Sequence, residues 1–298
     1  MNPVKVCAII LDYFGADKTE ACLRSLIGQG LETICVVDNS AAPGASAELH
    51  DAIDRLRPSA DYQIEILSPG QNLGFAKGVN YALHHQANSQ SRHDYYLLIN
   101  NDAIAGPDLV RGLLSTLQTD PQAALVAPKI LSSDIHRELG IWYHRYLGLL
   151  LANPGGFRFH YFTGCCLMFP RRLTDDRELF DNSFFMYGED TELGWRLLRE
   201  DQKTLAADNV YVEHEYGPSV ERSSFFYEYH MNRCHLLLSL KTWRYRAEIP
   251  LLLATKYLAL WFRAVARSLR HRSITPLLAL SVASLPISAS RIQLGKTS

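Results

Sequence analysis

The sequence contains no C-x-x-C pair, although it has six cysteines. Without this spacing, a zinc site or a thiol redox motif has no support. Four of the cysteines, Cys7, Cys35, Cys165 and Cys166, lie in apolar runs typical of strands. We therefore expect reduced, buried thiols in a cytosolic protein.

The sequence also lacks a recognisable secretory signal and a convincing membrane span. The first apolar run near the N-terminus is short and ends at Asp12, which is atypical of a signal peptide. Residues 249–262 are too few for a span and include Lys256, and residues 273–290 hold five serines and two prolines. We therefore expect a cytoplasmic protein, with at most peripheral contact with the inner face of a membrane.

Charge is nearly balanced overall, with a formal net charge of -1, but it is unevenly distributed. Residues 241–298 carry ten Lys and Arg against one Glu, whereas residues 1–240 carry 20 basic and 30 acidic residues. This asymmetry predicts an anionic partner for the C-terminal region, either a membrane or a nucleic acid. The composition, 47% hydrophobic and 20% charged without repeats or low-complexity segments, indicates a globular core.

Strand-like and helix-like stretches alternate along the first half of the chain, which predicts a largely parallel sheet covered by helices on both faces. The predicted strands are Lys5–Phe14, Thr33–Asp38, Tyr62–Leu67, Tyr95–Ile99 and Ala123–Ile130. The predicted helices are Lys18–Gln29, Ala45–Leu56, Phe75–Gln86 and Pro107–Leu117. Such sheets bind ligands at the carboxyl ends of their strands, so the loops after the strands are the candidate binding loops.

The second half is less regular. We predict a strand over Phe159–Phe169, a helix over Asp190–Arg199 and one or two strands over Thr204–Val212. From about Ser223 the pattern is helical and apolar, and it becomes basic after Lys241.

Three polar residues, Asn100-Asn101-Asp102, follow the fourth predicted strand. A carboxylate flanked by amides can hold Mg²⁺ or Mn²⁺ against phosphate oxygens, because hard cations prefer oxygen ligands. The alternative is an Asx-rich turn that caps the next helix.

The loop Gly70–Asn80 follows the third strand and carries three glycines and Lys77. Glycines let a backbone approach a ligand closely, and the helix that follows could present its N-terminus to a phosphate. The loop lacks the P-loop pattern, and a purely structural turn is the alternative.

Two further positions could carry chemistry. The acids Glu189 and Asp190, after Gly188, could supply a general base for an attacking hydroxyl. Acids also favour the first turn of a helix because of its dipole, which is the structural alternative. His214 could complete a metal site with Asp102, or act as a structural hydrogen-bonding residue.

The C-terminal region contains a predicted amphipathic helix with a basic and an apolar face. The basic face comprises Lys256, Arg263, Arg267 and Arg270, and the apolar face comprises Leu258, Phe262, Val265 and Leu269, with Tyr257 and Trp261 nearby. This pattern suits the surface of an anionic bilayer. The alternative is a helix that packs on the body with a solvated basic face, and nothing resembling a nucleic-acid-binding module precedes it.

The order of these motifs resembles the family 2 glycosyltransferases, in particular the rhamnosyltransferase-like and galactofuranosyltransferase-like branch. The resemblance covers roughly residues 4–240. It rests on Asp38-Asn39-Ser40, Asn72-Leu73-Gly74-Phe75-Ala76-Lys77-Gly78-Val79-Asn80, Asn100-Asn101-Asp102, Gly164-Cys165-Cys166, Phe180-Asp181, Phe184-Phe185-Met186-Tyr187-Gly188-Glu189-Asp190 and His214-x-x-Gly217.

The resemblance implies a GT-A fold, a Rossmann-like and mostly parallel α/β sheet flanked by helices, with a C-terminal helical extension. The catalytic domain would span residues 1–222, with a nucleotide-sugar-binding half over about 1–130 and an acceptor half over about 131–222. Residues 223–298 would form the helical, basic amphipathic region.

Residue roles follow from the same resemblance. Asp38 would contact the nucleotide base, while Asn72, Gly74 and Lys77 would line the nucleotide and diphosphate pocket with Asn100 and Asn101. Asp102 would bind Mg²⁺ or Mn²⁺ with His214. Asp190 would be the catalytic base, with Glu189 beside it contacting acceptor or donor. The sequence departs from the family pattern at three positions, with Asn100 for the first acid of Asp-x-Asp, Glu192 for a common Asp, and Asp201 where a glycine often ends the helix.

The implied function is inverting, metal-dependent transfer of a sugar from a nucleotide donor to a saccharide or polyprenyl-linked acceptor in cell-surface polysaccharide synthesis. The first donor candidate, from branch resemblance alone, is dTDP-rhamnose. The expected partners are the donor, the acceptor and an anionic membrane surface, without nucleic acid; the oligomeric state stays open. The alternatives are a sugar nucleotidyltransferase and a non-catalytic nucleotide-sugar-binding scaffold.

Overall fold

The computed structural model describes residues 4–89, 92–132, 139–214 and 224–285. Its strands are β1 Val6–Asp12, β2 Thr33–Asp38, β3 Gln63–Leu67, β4 Tyr95–Ile99, β5 Ala103–Ala105, β6 Leu125–Leu131, β7 Ile141–His144, β8 Leu149–Leu151, β9 Arg158–Tyr161, β10 Cys166–Pro170 and β11 Thr204–His214. Its α-helices are α1 Ala16–Ser25, α2 Pro43–Leu56, α3 Gly74–Ala87, α4 Leu109–Thr119, α5 Glu189–Arg199, α6 Phe225–Lys241, α7 Ile249–His271 and α8 Thr275–Ala283. Short 3₁₀ helices cover Arg57–Ser59, Arg171–Leu173 and Arg246–Glu248.

The chain divides into two compact units. The first unit comprises Met1–Gly140, Phe162–Phe180 and Leu197–Tyr216. The second unit comprises Ile141–Tyr161, Asp181–Arg196 and Gly217–Ser298. The sequence-based division into a catalytic domain over residues 1–222 and a helical C-terminal region over residues 223–298 stays a prediction.

The first unit contains an eight-stranded sheet in the order β3-β2-β1-β4-β10-β6-β11-β5. Strands β3, β2, β1 and β4 run parallel to one another, as do β6 and β11, while β10 and β5 pair antiparallel with their neighbours. The predicted class, a mostly parallel α/β sheet with flanking helices, is confirmed.

The parallel strands form because their residues are apolar on both faces, as strands covered on both sides require. All six residues of β2 are buried. Helix α3 lies close to β1 because Gly78 has no side chain; a Cβ there would come within 2.6 Å of Leu11 Cδ2. This close packing fixes the start of α3, and hence the loop before it, against the sheet.

The predicted strand Phe159–Phe169 was wrong as a single element. The structure forms β9 and β10 instead, and they belong to different sheets. Gly164 lies in the break between them, where a Cβ would meet the Phe75 ring at 3.3 Å. The short strands β5, β7 and β8 were not predicted from the sequence, because three or four residues are too few to show a period of two.

The end of α5 explains the departure at Asp201. The backbone there adopts a left-handed conformation with φ of +53°. This conformation commonly follows the last turn of a helix and favours glycine, although Asp tolerates it better than most residues. Asp201 therefore occupies the position by adopting the same backbone geometry that glycine would.

The second unit combines an antiparallel sheet, in the order β8-β7-β9, with helices α6, α7 and α8. Its interior holds several charged side chains. Glu228 of α6 is fully buried and forms ion pairs with Arg263, at 2.9 Å, and with Arg267. Arg145 is buried as well, with its guanidinium 4.5 Å from the centre of the Trp195 ring.

The structure corrects the predicted solvated basic face of the C-terminal helix, whereas the predicted contact of this helix with a membrane surface stays a prediction. Lys256 is fully buried, and burial lowers its pKa to about 7. Arg263 and Arg267 turn inward to Glu228, so Arg270 is the one exposed member of the predicted basic face. Glu228 lies in another helix, 35 residues before Arg263, so the periodicity of α7 alone did not indicate these ion pairs.

Among the described residues, one helical stretch, Arg246–His271, has the length and apolar composition to cross a membrane. This finding rests on length and composition only.

The prediction of buried, free thiols is confirmed, since each of the six cysteines is buried and free.

Candidate active site

Polar residues gather where the parallel strands of the first unit end. Asp12 and Asp38 end β1 and β2 and are directly opposite each other in the strand register. Asn100 follows the end of β4, which also runs parallel to β1. The carboxyl ends of parallel strands are where α/β sheets bind ligands. The structure therefore brings the motifs after β2 and β4 to one edge of the sheet.

Asp102 and His214 meet through the pairing of β5 with β11. Ala103 is opposite His214 in that antiparallel register, which brings the preceding Asp102 beside the imidazole. Asp102 Oδ1 lies 3.0 Å from His214 Nε2, and both side chains are largely buried. Burial alone would raise the pKa of Asp102, but the His214 hydrogen bond and the positive charges of His214 and Lys18 together lower it. Asp102 is thus held as a carboxylate.

The two asparagines before Asp102 have different surroundings. Asn101 donates from Nδ2 to Thr19 Oγ1 at 3.1 Å and, at 3.4 Å, to Asp12 Oδ1. Asn100 donates its backbone N–H to the carbonyl of Cys165 at 2.8 Å, and its buried Oδ1 has no hydrogen-bond partner in the described structure. Asn101 therefore anchors the loop, whereas Asn100 keeps an acceptor atom for another group.

Asp12 and Thr19 were not singled out from the sequence. Thr19 donates its hydroxyl to Asp12 Oδ1 at 2.6 Å, and both are buried. Burial raises the pKa of Asp12, and the Thr19 and backbone Gly15 hydrogen bonds act against it. The signal was available, because Asp12 ends an apolar strand at the same edge as Asp38.

Asp38 is buried and bound to its own loop. Its carboxylate accepts from the backbone N–H of Ser40 at 3.0 Å, from the Ser40 hydroxyl at 2.5 Å and from the Ser46 hydroxyl. These bonds orient the loop after β2 and fix the Asp38 side chain in one position.

The loop before α3 is tied to the loop after β2 by amide hydrogen bonds. Asn39 Nδ2 donates to Asn72 Oδ1 and to the Gly74 carbonyl, both at 3.1 Å, while Asn39 Oδ1 accepts from the Leu73 N–H at 2.8 Å. Asn72 Oδ1 also accepts from the Gly74 N–H at 2.8 Å. Asn72 thus acts here as a loop constraint, in addition to any ligand contact.

Gly74 begins α3 with φ of +75°, a conformation that other residues rarely adopt. Lys77 lies one turn into the helix and is exposed. Asn80 closes the motif from inside: its amide donates to the Phe180 carbonyl at 2.7 Å and accepts from the Phe180 N–H at 3.2 Å. The last residue of the motif therefore links α3 to a segment 100 residues further along the chain.

The residues present can be tested against a divalent cation. Among the described residues, no group of three or more His, Cys, Asp or Glu side chains is placed to hold a metal ion. Asp102 Oδ1 and His214 Nε2 are 3.0 Å apart, close to the separation of two adjacent ligands that each lie about 2.1 Å from an octahedral cation. The pair fits a cation that takes its remaining ligands from phosphate and water. Gly217, the last residue of the motif His214-x-x-Gly217, lies outside the described residues.

Glu189 and Asp190 belong to the second unit and begin α5. Gly188, with φ of +86°, precedes them, and a Cβ there would come within 3.0 Å of Cys234 Cβ. Asp190 Oδ1 accepts from the Thr191 N–H at 2.6 Å. Glu189 is buried and its Oε2 has no hydrogen-bond partner among the described atoms. Burial, and then the negative charge of Asp190, raise the pKa of Glu189 to about 8.

Glu192, where an Asp is common in the resemblance, is also buried in the first turn of α5. Burial raises its pKa, and the charge of Arg196 acts against that shift. The three acids of this turn agree with the helix-dipole alternative as well as with a catalytic role.

The sheet, its strand-end acids and its flanking helices define a GT-A fold of the glycosyltransferase class. The chain belongs to glycosyl transferase family 2, whose sequence profile matches residues 7–177, more than half of the chain. The predicted family is confirmed by this match. No curated protein matches the sequence.

Solved structures share the fold at low sequence identity. The mannosyltransferase PcManGT from Pyrobaculum calidifontis, in complex with GDP-Man and Mn²⁺, has a TM-score of 0.56 at 16% identity, covering 96% of this chain and 82% of its own. TarS 1-349 from S. aureus has a TM-score of 0.54 at 13% identity, with coverages of 89% and 74%. GalNAc-T7 with UDP, GalNAc and Mn²⁺ has a TM-score of 0.58 at 12% identity, and the match covers 91% of this chain and 58% of GalNAc-T7.

Proposed function

We propose that this family 2 glycosyltransferase is an inverting, divalent-cation-dependent hexosyltransferase. One observation carries the proposal: Asp102 Oδ1 lies 3.0 Å from His214 Nε2 at the ligand-binding edge of the sheet. A carboxylate and an imidazole are suited to a borderline-hard cation such as Mn²⁺ or Mg²⁺. The Mn²⁺ bound in the structures of PcManGT and GalNAc-T7 supports the same choice.

The donor is a nucleotide sugar, and its nucleotide contacts the loops after β2, β3 and β4. In this proposal Asp38 contacts the base, and Asn72, Gly74 and Lys77 line the nucleotide and diphosphate pocket. Asn100 offers the buried Oδ1 that has no partner among the described atoms, and Asn101 holds the loop through Thr19. Exposed Lys77 supplies positive charge near the first turn of α3, whose N-terminus also favours anions.

The reaction is a single displacement at the anomeric carbon. Asp190 accepts the proton of an acceptor hydroxyl, the hydroxyl oxygen bonds to the anomeric carbon, and the bond to the diphosphate oxygen breaks with its electron pair on the diphosphate. One displacement inverts the configuration. Asp102 and His214 would hold the cation, which would supply positive charge to neutralise the leaving diphosphate. Glu189 contacts acceptor or donor, and the upward shift of its pKa, through burial and the charge of Asp190, favours the protonated form, which donates a hydrogen bond.

The finer proposals concern substrate and location. dTDP-rhamnose is the first donor to test, and the acceptor is a saccharide or a polyprenyl-linked saccharide in cell-surface polysaccharide synthesis. The enzyme acts in the cytoplasm, peripheral to an anionic inner membrane face. The catalytic domain spans residues 1–222, with the acceptor half over about 131–222.

A donor panel tests the function. Purified chain 1–298 is incubated with dTDP-rhamnose, UDP-galactofuranose, UDP-glucose and GDP-mannose, each with Mg²⁺, Mn²⁺ or EDTA. We expect release of a nucleoside diphosphate from one donor, dependent on the cation. Release of pyrophosphate would assign a nucleotidyltransferase, and nucleotide-sugar binding without release would assign a scaffold; either result contradicts the proposal.

A further inference from the structure

The outer face of α7 is apolar over nearly the whole helix. We define it by the exposed residues Pro250, Leu251, Ala254, Tyr257, Leu258, Trp261, Phe262, Ala266 and Leu269. In the described stretch 249–269 every exposed residue is uncharged. At about 1.5 Å per residue this face is roughly 30 Å long.

Before the last turn of α7, its charged residues lie on the opposite, inward side. Lys256 is 0% exposed while Phe262 is 59% exposed. Arg263 and Arg267 pair with fully buried Glu228 of α6. Before its last turn, the helix therefore differs from an ordinary surface helix of a soluble protein: Lys256 is buried, Arg263 and Arg267 are only partly exposed, and large apolar side chains are exposed.

Basic residues flank the outer face at both ends. Arg244 and Arg246 are exposed before the helix, and Arg270, His271 and Arg272 are exposed at its end. Exposed apolar residues continue past the end of α7, with Ile274 just before α8 and Leu278 within α8. Trp261 and Tyr257 are residue types that concentrate at membrane–water interfaces. The charge that flanks this surface is complementary to anionic lipid headgroups.

We propose that the outer face of α7, continued by α8, inserts into the surface of an anionic lipid bilayer, with α7 lying parallel to the membrane plane. An exposed apolar surface of this length marks an interaction site. Arg263 and Arg267 would be in hydrocarbon if α7 crossed the bilayer, away from the headgroup region that their charges favour. Lying in the plane keeps them, with Glu228, on the protein side.

This proposal deepens the membrane contact in the proposed function, but it stands on α7 and α8 and needs no transfer reaction. It assigns the contact to the apolar side of the predicted amphipathic helix, since Lys256, Arg263 and Arg267 of the predicted basic face turn inward. Attraction of Arg270 and Arg272 to headgroups adds to binding, while apolar insertion supplies most of it.

Vesicle co-sedimentation of the full chain tests the proposal. Vesicles of phosphatidylcholine and phosphatidylglycerol are compared with phosphatidylcholine alone. We expect binding to both, stronger with phosphatidylglycerol. The double variant Leu258→Ser with Phe262→Ser should lower the partition coefficient by at least about tenfold, since two large apolar side chains no longer insert. The matched control, Leu149→Ser with Leu150→Ser, changes two exposed leucines of β8 in the same unit and should leave binding unchanged.

The depth of Trp261 distinguishes lying from crossing. Brominated lipids with bromine near the headgroup should quench its fluorescence more than lipids brominated near the chain end, and Trp261→Phe should remove that difference. Stronger quenching from the chain end would overturn the parallel orientation, because Trp261 lies mid-helix.

Two results would overturn lipid binding itself. One is equal sedimentation of the Leu258→Ser, Phe262→Ser variant and the unaltered chain. The other is a dimer in solution that this variant converts to a monomer, which would assign the outer face to a second copy.

Nucleoside diphosphate release from donor is measured in vesicle-free buffer on the unaltered chain and on the Leu258→Ser, Phe262→Ser variant. The release should be equal in the two proteins, so a failure of the proposed function is seen separately from a failure of membrane binding.

Discussion

Asp102 in the first unit and Glu189 in the second unit are both largely shielded from water but have opposite electrostatic surroundings. Asp102 lies beside an imidazole, and the net result of burial, hydrogen bonding and nearby positive charge is a lowered pKa. Glu189 is buried beside another acid and has an oxygen without a partner among the described atoms, and its pKa is raised. Burial acts in the same direction on both acids, so the partner decides which one stays charged.

This difference suggests a division of roles. A carboxylate that stays ionised suits charge neutralisation, whereas a carboxyl group that keeps its proton suits hydrogen-bond donation. Because the upward pKa shift of Glu189 favours its protonated form, Asp190 does not have a second full negative charge beside it. Replacing each acid by its amide therefore gives different expected losses, because the amide removes a charge in one case and a proton in the other.

The largest effect is expected for Asp190→Asn. An amide cannot accept the proton of an acceptor hydroxyl, and loss of a general base typically lowers rates by about 10²–10⁴-fold. The measurement is nucleoside diphosphate release with acceptor, alongside calorimetric binding of the donor nucleotide. Nucleotide affinity should stay within about threefold. Turnover like that of the unaltered chain would remove Asp190 from the role of base.

The next largest effect is expected for Asp102→Asn. The substitution removes a negative charge at neutral pH because the pKa of Asp102 is lowered. Mutation of a group that only hydrogen-bonds a metal ligand already lowers metal affinity by about 10–100-fold, so a loss of at least about that size is expected for the ligand itself. Turnover titrated with Mn²⁺ should show a higher half-saturating concentration. Asp120→Asn is the control, since Asp120 is on the surface and pairs with Lys203 before β6. An unchanged Mn²⁺ titration in the Asp102 variant would contradict the proposed metal site.

Most of the fold and the order of the site motifs could be predicted from the sequence. Apolar runs ending in Asp38 or Asn100 give both the parallel strands and the edge at which their loops meet. The Asp102–His214 contact, in contrast, depends on the three-residue strand β5, which is too short to leave a pattern. The resemblance of the motif order to family 2 glycosyltransferases was needed to interpret these residues as one site, and the matched family profile ends at residue 177, before His214.

The tail could not be predicted correctly for a related reason. Periodicity separates two faces of a helix, but it does not say which face is inward. For α7 the usual assumption, charges outside, failed because Glu228 of α6 attracts two of its arginines. The short sheet β8-β7-β9 was missed because its strands have three or four residues each.

A smaller and pH-dependent effect is expected for Glu189→Gln. In the unfolded chain Glu189 ionises near its ordinary value of 4.5, whereas the folded value is about 8. The folded state therefore binds more protons within this window, so stability falls as pH rises from about 4.5 to 8, by at most about 1.4 kcal/mol per pH unit. This contribution to the free energy of unfolding is fully present below a pH of about 4.5. The glutamine side chain does not ionise, so the variant lacks this pH dependence.

Thermal unfolding measured from pH 5 to pH 8, in steps of about half a pH unit, checks this expectation. The decline in the free energy of unfolding should be shallower in Glu189→Gln than in the unaltered chain, and turnover near pH 6.5 should change by less than about tenfold. Glu200→Gln is the control, because Glu200 is exposed beside Arg177. Identical slopes in the Glu189 and Glu200 variants would show that Glu189 ionises normally.

The smallest effect is expected for Gly188→Ala, which tests how the acid pair is held. The left-handed backbone at φ of +86° and the 3.0 Å approach to Cys234 Cβ both oppose a side chain. A left-handed residue other than glycine costs about 1–2 kcal/mol, so the free energy of unfolding should fall by about that amount. Gly156→Ala is the matched control in the same unit, since nothing lies within 4 Å of its Cβ position. If turnover falls in Gly188→Ala while donor binding is kept, the turn before Glu189 positions the acids; equal stability of the two alanine variants would show that it does not constrain them.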